Sequence, residues 1–123
     1  MKTILLVDDS TTIILSVSEI ITKAGYKVAK ACHGVDALGQ IKSGVKPDLI
    51  ITDLNMPQMN GIEFIREVRK LPGFRFTPIL MLTTESQQAK RMEGKEAGAT
   101  GWLVKPISGP DLLKTIKQVL PGA

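Results

Sequence analysis

The chain has 123 residues, 43% of them hydrophobic and 23% charged, which is enough for one soluble domain with its own core and no staples. Cys32 is the only cysteine, so an intramolecular disulfide is excluded, and a reducing, cytoplasmic setting is expected. The net charge of +4 comes from lysines and arginines spread along the chain, which reads as a solvated surface and not as a nucleic-acid footprint. No charged-then-apolar leader opens the chain and no apolar run reaches membrane-spanning length, so neither export nor membrane insertion is expected.

Thr3 to Val7 is a continuous apolar strand that ends on two carboxylates, Asp8 and Asp9. Ser10 and Thr11 offer helix N-caps. Ile13, Val17, Ile20, Ile21 and Ala24 then repeat at helical spacing until Gly25. Tyr26 to Ala31 predicts a second strand, and Gly34 opens a short helix carrying Val35, Leu38 and Ile41 as far as Gly44. Leu49 to Thr52 is a third strand, read as buried on both faces, and it stops at Asp53. Asn55, Pro57, Asn60 and Gly61 form a turn-rich loop before a helix with Ile62, Ile65 and Val68, which Leu71-Pro72-Gly73 breaks.

Pro78 to Leu82 predicts a fourth strand running into Thr83 and Thr84. A polar helix of about Ser86 to Glu96 follows, with a thin apolar face of Ala89, Met92 and Ala97, and should be the least firmly held element. Thr100 to Val104 is a fifth strand ending on Lys105-Pro106. Ser108 or Asp111 starts a last helix with Leu112, Leu113, Ile116, Val119 and Leu120 facing inward, stopped by Pro121-Gly122. Five buried strands alternating with five helices give an α/β, (βα)5 parallel sheet covered on both faces, and a single domain over residues 1–123.

In a parallel sheet every strand ends on the same edge. Asp8-Asp9, Asp53, Thr83 and Lys105 therefore converge although they are far apart in sequence. Three carboxylates in one place repel unless a cation sits among them. Hard oxygen ligands make Mg²⁺ the natural candidate. Asp53 is then placed as a nucleophile toward phosphorus. Lys105 is a mobile charge able to meet Asp53 and a phosphoryl oxygen, and the Thr83 hydroxyl can donate to another. Each residue alone has an ordinary structural explanation; it is their shared topological position that points to phosphoryl transfer. Cys32-His33, with no further ligand pattern, reads as structural. Ile14 and Leu15 flank the inward stripe of the first helix, so at least one should face outward, as an ordinary exposed residue or as a docking surface next to this edge.

The segments LLVDDS, LIITDLNMPQMNG, ILMLTTES and GATGWLVKP resemble the motifs of the receiver domain of two-component response regulators, across essentially the whole chain. The likeness is greatest to that family's stand-alone chemotaxis regulators. The resemblance implies a flavodoxin-like sheet of order 2-1-3-4-5 and Asp53 as phosphoacceptor for a histidine kinase of the CheA type. It implies Asp9, Asp53 and the Asn55 carbonyl as direct Mg²⁺ ligands, Asp8 as a ligand through water, and Thr83 and Lys105 as binders of phosphoryl oxygens. It implies a cis bond before Pro106, and it makes Asn55 and Glu85 the positions that tune acyl-phosphate lifetime.

The same resemblance implies a monomeric phosphoacceptor that catalyses only its own phosphorylation and dephosphorylation, and so is not an enzyme toward other substrates. With no output domain, it would signal by non-covalent contact with a flagellar motor switch protein or another partner, answer to a phosphatase, or drain phosphate from the kinase. Trp102 stands where the family usually has a Tyr or Phe that swings inward, and its larger indole is expected to move little. The alternatives are a small Mg²⁺-dependent phosphatase or hydrolase with Asp53 as nucleophile, and a flavodoxin-like nucleotide binder. The first is weakened because the acceptor ends the third strand and Asn55 stands two residues later. The second lacks a glycine-rich phosphate loop.

Overall fold

The computed structural model describes residues 1–120, so the expected stop at Pro121-Gly122 lies outside the described residues. Ten elements alternate: β1 (Thr3–Val7), α1 (Thr11–Lys23), β2 (Lys27–Ala31), α2 (Gly34–Lys42), β3 (Leu49–Thr52), α3 (Gly61–Lys70), β4 (Ile79–Thr83), α4 (Gln88–Ala97), β5 (Gly101–Val104) and α5 (Gly109–Val119). All strand pairings are parallel, in the order β2-β1-β3-β4-β5.

Side chains alternate across a strand, and here both sets are apolar because both faces are covered. Leu5, Val7, Ile50, Ile79 and Met81 pack on α2 and α3 through Leu38, Ile41, Phe64, Ile65 and Val68. Ile4, Leu6, Ile51, Leu80 and Leu82 pack on α1 and α5 through Val17, Ile21, Leu112 and Ile116. Full burial of each such side chain is worth about 1.5–3 kcal/mol, so the three central strands are fixed firmly in register.

Burial is uneven in ways that periodicity did not anticipate. The central strands β3 and β4 are buried throughout, but at the edges β5 is mostly half-buried and β2 mixes exposed and half-buried residues up to buried Ala31, because each has a neighbour on one side only. Ala24 at the end of α1 and Val35 in the first turn of α2 are exposed, since a helix end projects past the sheet it covers. Ala89 is exposed and Met92 is 54% exposed, leaving Gly94 and Ala97 as the buried residues of α4. In α5, Leu112, Ile116 and Leu120 are buried, whereas Leu113 and Val119 sit at the margin.

The helix starts are set by side-chain caps. Ser10 Oγ accepts from Ile13 N–H, and Ser108 Oγ from Asp111 N–H. Asn60 and Glu63 form a reciprocal capping box on α3. His33 accepts from Asp36 N–H through Nδ1 at 3.1 Å, and Asp36 in turn accepts from Cys32 N–H, so the Cys32-His33 pair shapes the entry to α2. Gln87 gives α4 no side-chain cap; α4 therefore starts later than the sequence pattern implied.

Candidate functional site

The sheet hydrogen bonding runs one residue past the strand ends and carries the polar residues into place. Asp8 N–H donates to Ala31 O, Asp53 N–H to Val7 O, and Lys105 N–H to Thr83 O, at 2.8–3.1 Å. The carboxylates of Asp8, Asp9 and Asp53 each bring an oxygen within 4.8 Å of the others. Asp8 and Asp53 are buried, Asp53 at 8% exposure, while Asp9 is open to solvent.

Lys105 Nζ lies 2.8 Å from Asp8 Oδ2 and 3.7 Å from Asp53 Oδ2. The sequence led one to expect Lys105 against Asp53; its closer partner is Asp8. The other Asp8 oxygen accepts from Ser10 N–H at 2.9 Å, so Asp8 is held at both ends. Asp53 Oδ1 accepts from Leu54 N–H at 2.8 Å, which leaves Oδ2 facing the Lys105 ammonium from a distance. Burial pushes the Asp53 carboxyl above its usual 3.8; Lys105 opposes this, Asp8 adds to it, and the Thr83 hydroxyl and Leu54 N–H pull it back down. A single ammonium thus serves two buried carboxylates, with a third carboxylate beside them.

That donor set fits a hard divalent cation. It consists of carboxylate oxygens alone, one of them solvent-facing, in a place where negative charge is only partly offset. Asn55 follows in an exposed turn, two residues after Asp53.

The loop after β3 depends on a residue whose role sequence reasoning missed. Gly61 N–H donates to Leu54 O at 2.8 Å, and a Cβ at residue 61 would collide with the Asp53 carbonyl oxygen. The helix α3 must therefore start on a residue with no side chain for the backbone of the Asp53 turn to pass. Thr52 adds a second restraint, its buried hydroxyl donating to that same carbonyl at 3.0 Å. The available signal was the position of Gly61 directly after the N-cap Asn60, where a small residue is not otherwise needed.

Beyond β4, Thr83 Oγ1 accepts from Glu85 N–H at 3.3 Å. The Glu85 carboxylate accepts from Ser86 and Gln87 N–H at 3.1 and 3.2 Å, which ties down the loop just before α4 without capping the helix itself. The Glu85 carbonyl accepts from Trp102 Nε1 at 2.9 Å. The half-buried indole lies over Gly94 of α4, where a Cβ would come within 2.7 Å of the ring. Trp102 therefore has an acceptor for its N–H and a fitted seat, which join β5 to the Glu85 loop and to α4. The Lys105-Pro106 bond is cis. Of the two flanking residues on α1, Leu15 is 64% exposed and Ile14 is half-buried.

Comparison with known proteins gives a consistent picture. The sequence model of the response regulator receiver domain matches residues 4–117. The chain is 36% identical over 120 residues to chemotaxis protein CheY1 of Helicobacter pylori, covering 97% of this chain and 96% of that one. It is equally similar, 36% over 122 residues, to protein PilH of Pseudomonas aeruginosa, covering 99% and 100%. The solved structure of chemotaxis protein CheY4 of Vibrio cholerae superposes with a TM-score of 0.92 at 49% identity, over 97% of this chain and 98% of that one. With the 2-1-3-4-5 sheet and the cluster at its carboxyl edge, these matches show that the chain belongs to the receiver-domain family of two-component response regulators.

Proposed function

We propose that this receiver domain takes a phosphoryl group from a histidine kinase onto Asp53 and signals through a non-covalent partner. The observation that carries this reading is one ammonium, Lys105, reaching both Asp8 and Asp53, with Asp9 completing a three-carboxylate cluster. A structural salt bridge needs one carboxylate; two buried ones and an open third are costly without a further cation.

In the reaction, a carboxylate oxygen of Asp53 forms a bond to phosphorus as the bond to the donor's imidazole nitrogen breaks. The nitrogen keeps the electron pair, and the phosphoryl group ends as a mixed anhydride on Asp53. Leu54 N–H fixes the Asp53 rotamer through Oδ1, which orients the other oxygen toward the open edge. Lys105, already shared, moves its charge from Asp8 and Asp53 toward a phosphoryl oxygen, and the Thr83 hydroxyl donates to another. Asp8, Asp9, Asp53 and the Asn55 carbonyl would hold Mg²⁺, which when bound offsets charge on the transferring group.

Thr83 Oγ1 accepts from Glu85 N–H while keeping its own proton free to donate, so a shift of Thr83 toward the phosphoryl group would draw the Glu85 loop with it. Trp102 is held by the Glu85 carbonyl and by Gly94, so we assign it a small movement and put the read-out in the loop and α4. The relatives include both CheY1 and PilH, so likeness alone does not choose between a flagellar switch protein, another partner and a phosphate sink.

The test is intact-protein mass after incubation with Mg²⁺ and acetyl phosphate. One added phosphoryl group is expected on the wild type and none on Asp53→Ala. Addition to both, or to neither under conditions where Mg²⁺ is bound, overturns the assignment.

A further inference from the structure

α1 and α5 lie side by side and leave a groove of about 620 Å³ between them, lined by none of Asp8, Asp9, Asp53, Thr83 and Lys105. Its floor is apolar, made by Ile20 from α1 and by Pro110 and Leu113 from α5. Its rim is entirely basic: Lys23 on one wall, Lys114 and Lys117 on the other. All three lysines are exposed. Lys23 is paired to Glu19 on its own helix at 2.9 Å, but among the described residues neither Lys114 nor Lys117 forms an ion pair.

We infer that this groove docks an acidic amphipathic helix of a partner protein. The floor selects for apolar side chains at helical spacing, because a trough between two helices accepts a third by ridge-into-groove packing. The rim selects for carboxylates flanking that stripe and rejects a basic segment. A nucleic-acid backbone would use the lysines and leave the apolar floor wet. A second copy of this chain would set lysines against lysines. The groove is separate from Asp53, so the inference stands or falls independently of the phosphoryl chemistry.

The experiment is a titration of the ¹⁵N-labelled full chain with a helical peptide of about 15 residues, carrying leucines at i, i+3 and i+7 flanked by glutamates. Saturable shifts are expected at Ile20, Leu113 and Lys117, with a dissociation constant on the order of 10–100 μM for so small an interface. The double variant Lys114→Glu/Lys117→Glu should bind at least roughly tenfold more weakly, and so should Leu113→Gln, which keeps the lysines. Thermal unfolding and phosphoryl uptake on Asp53 should be unchanged in the charge variant. Three controls can each overturn the inference: equal binding of the same peptide with lysines in place of glutamates, equal binding of polyglutamate, or shifts centred on Met92 and Trp102 instead. No shift at about 1 mM peptide would overturn it as well.

Discussion

The middle of the sheet and its β5 flank are built from the same kinds of element, yet they are held very differently. β3 and β4 have strands on both sides and helices on both faces, and every one of their residues is buried. β5 has one neighbouring strand, and α4 beside it buries only Gly94 and Ala97. Asp53 and Thr83 stand at the ends of the rigid strands, where a misplacement of 1 Å would be costly to chemistry. Trp102, Glu85 and α4 belong to the flank, where opening costs little. The site is thus rigid where bonds would be made and soft where a partner would read the result. Four substitutions probe that contrast, and the rigid side should respond most.

Gly61→Ala should do the greatest damage. Its Cβ would strike the Asp53 carbonyl oxygen and come within 3.0 Å of Leu54 Cα, and neither is the end of a flexible side chain that can turn away. We expect a loss of about 2–3 kcal/mol in urea unfolding, typical of overpacking in a fixed environment, together with loss of phosphoryl uptake on Asp53. Normal stability and uptake would mean that the Asp53 turn is softer than its contacts imply.

Asp53→Asn should act in the opposite direction, because the Asp53 carboxyl is raised above 3.8 chiefly by burial. The native state holds that proton where the unfolded chain has released it. The associated stability is complete below the unfolded value and is lost as pH rises through the higher native one. The amide has no proton to lose, so Asp53→Asn should gain on the wild type as pH rises through that window and remain on the order of 1 kcal/mol more stable at neutral pH. Paired thermal melts across the acid range check the sign; a gap that shrinks with rising pH would contradict it. Added Mg²⁺ should raise the melting temperature of the wild type more than that of the variant.

The sequence made the rigid half legible and the soft half only in outline. Unbroken apolar runs such as Leu49–Thr52 announce a strand covered on both faces, and parallel topology alone brings Asp8, Asp9, Asp53, Thr83 and Lys105 to one edge. What was not legible depended on distances between elements. Lys105 lies nearer to Asp8 than to Asp53, although each carboxylate spends one oxygen on a backbone N–H, and only the packed strand ends set those distances. Ala89 and Met92 fit an apolar stripe on paper, but α4 lies beyond the buried sheet and turns them to solvent. Glu85 could be tied to the site by family likeness, but its carboxylate holding the Ser86-Gln87 loop ahead of α4 is visible only in three dimensions.

The smallest effects are expected at Trp102, and they sharpen the contrast most finely. Trp102→Phe removes the bond from Nε1 to the Glu85 carbonyl and should cost about 1 kcal/mol, because the freed carbonyl is near enough to water to recover part of the loss. Gly94→Ala tests the seat itself. Alanine gains about 1 kcal/mol over glycine in a helix interior, while its methyl group displaces the indole edge. The two terms oppose, so stability should change little. The fluorescence of Trp102, the only tryptophan, should nevertheless shift to the red as the ring moves toward water. An unchanged spectrum would show that the indole yields without leaving its seat, and that α4 adjusts around it. That outcome would make the helix, not the aromatic side chain, the softer of the two.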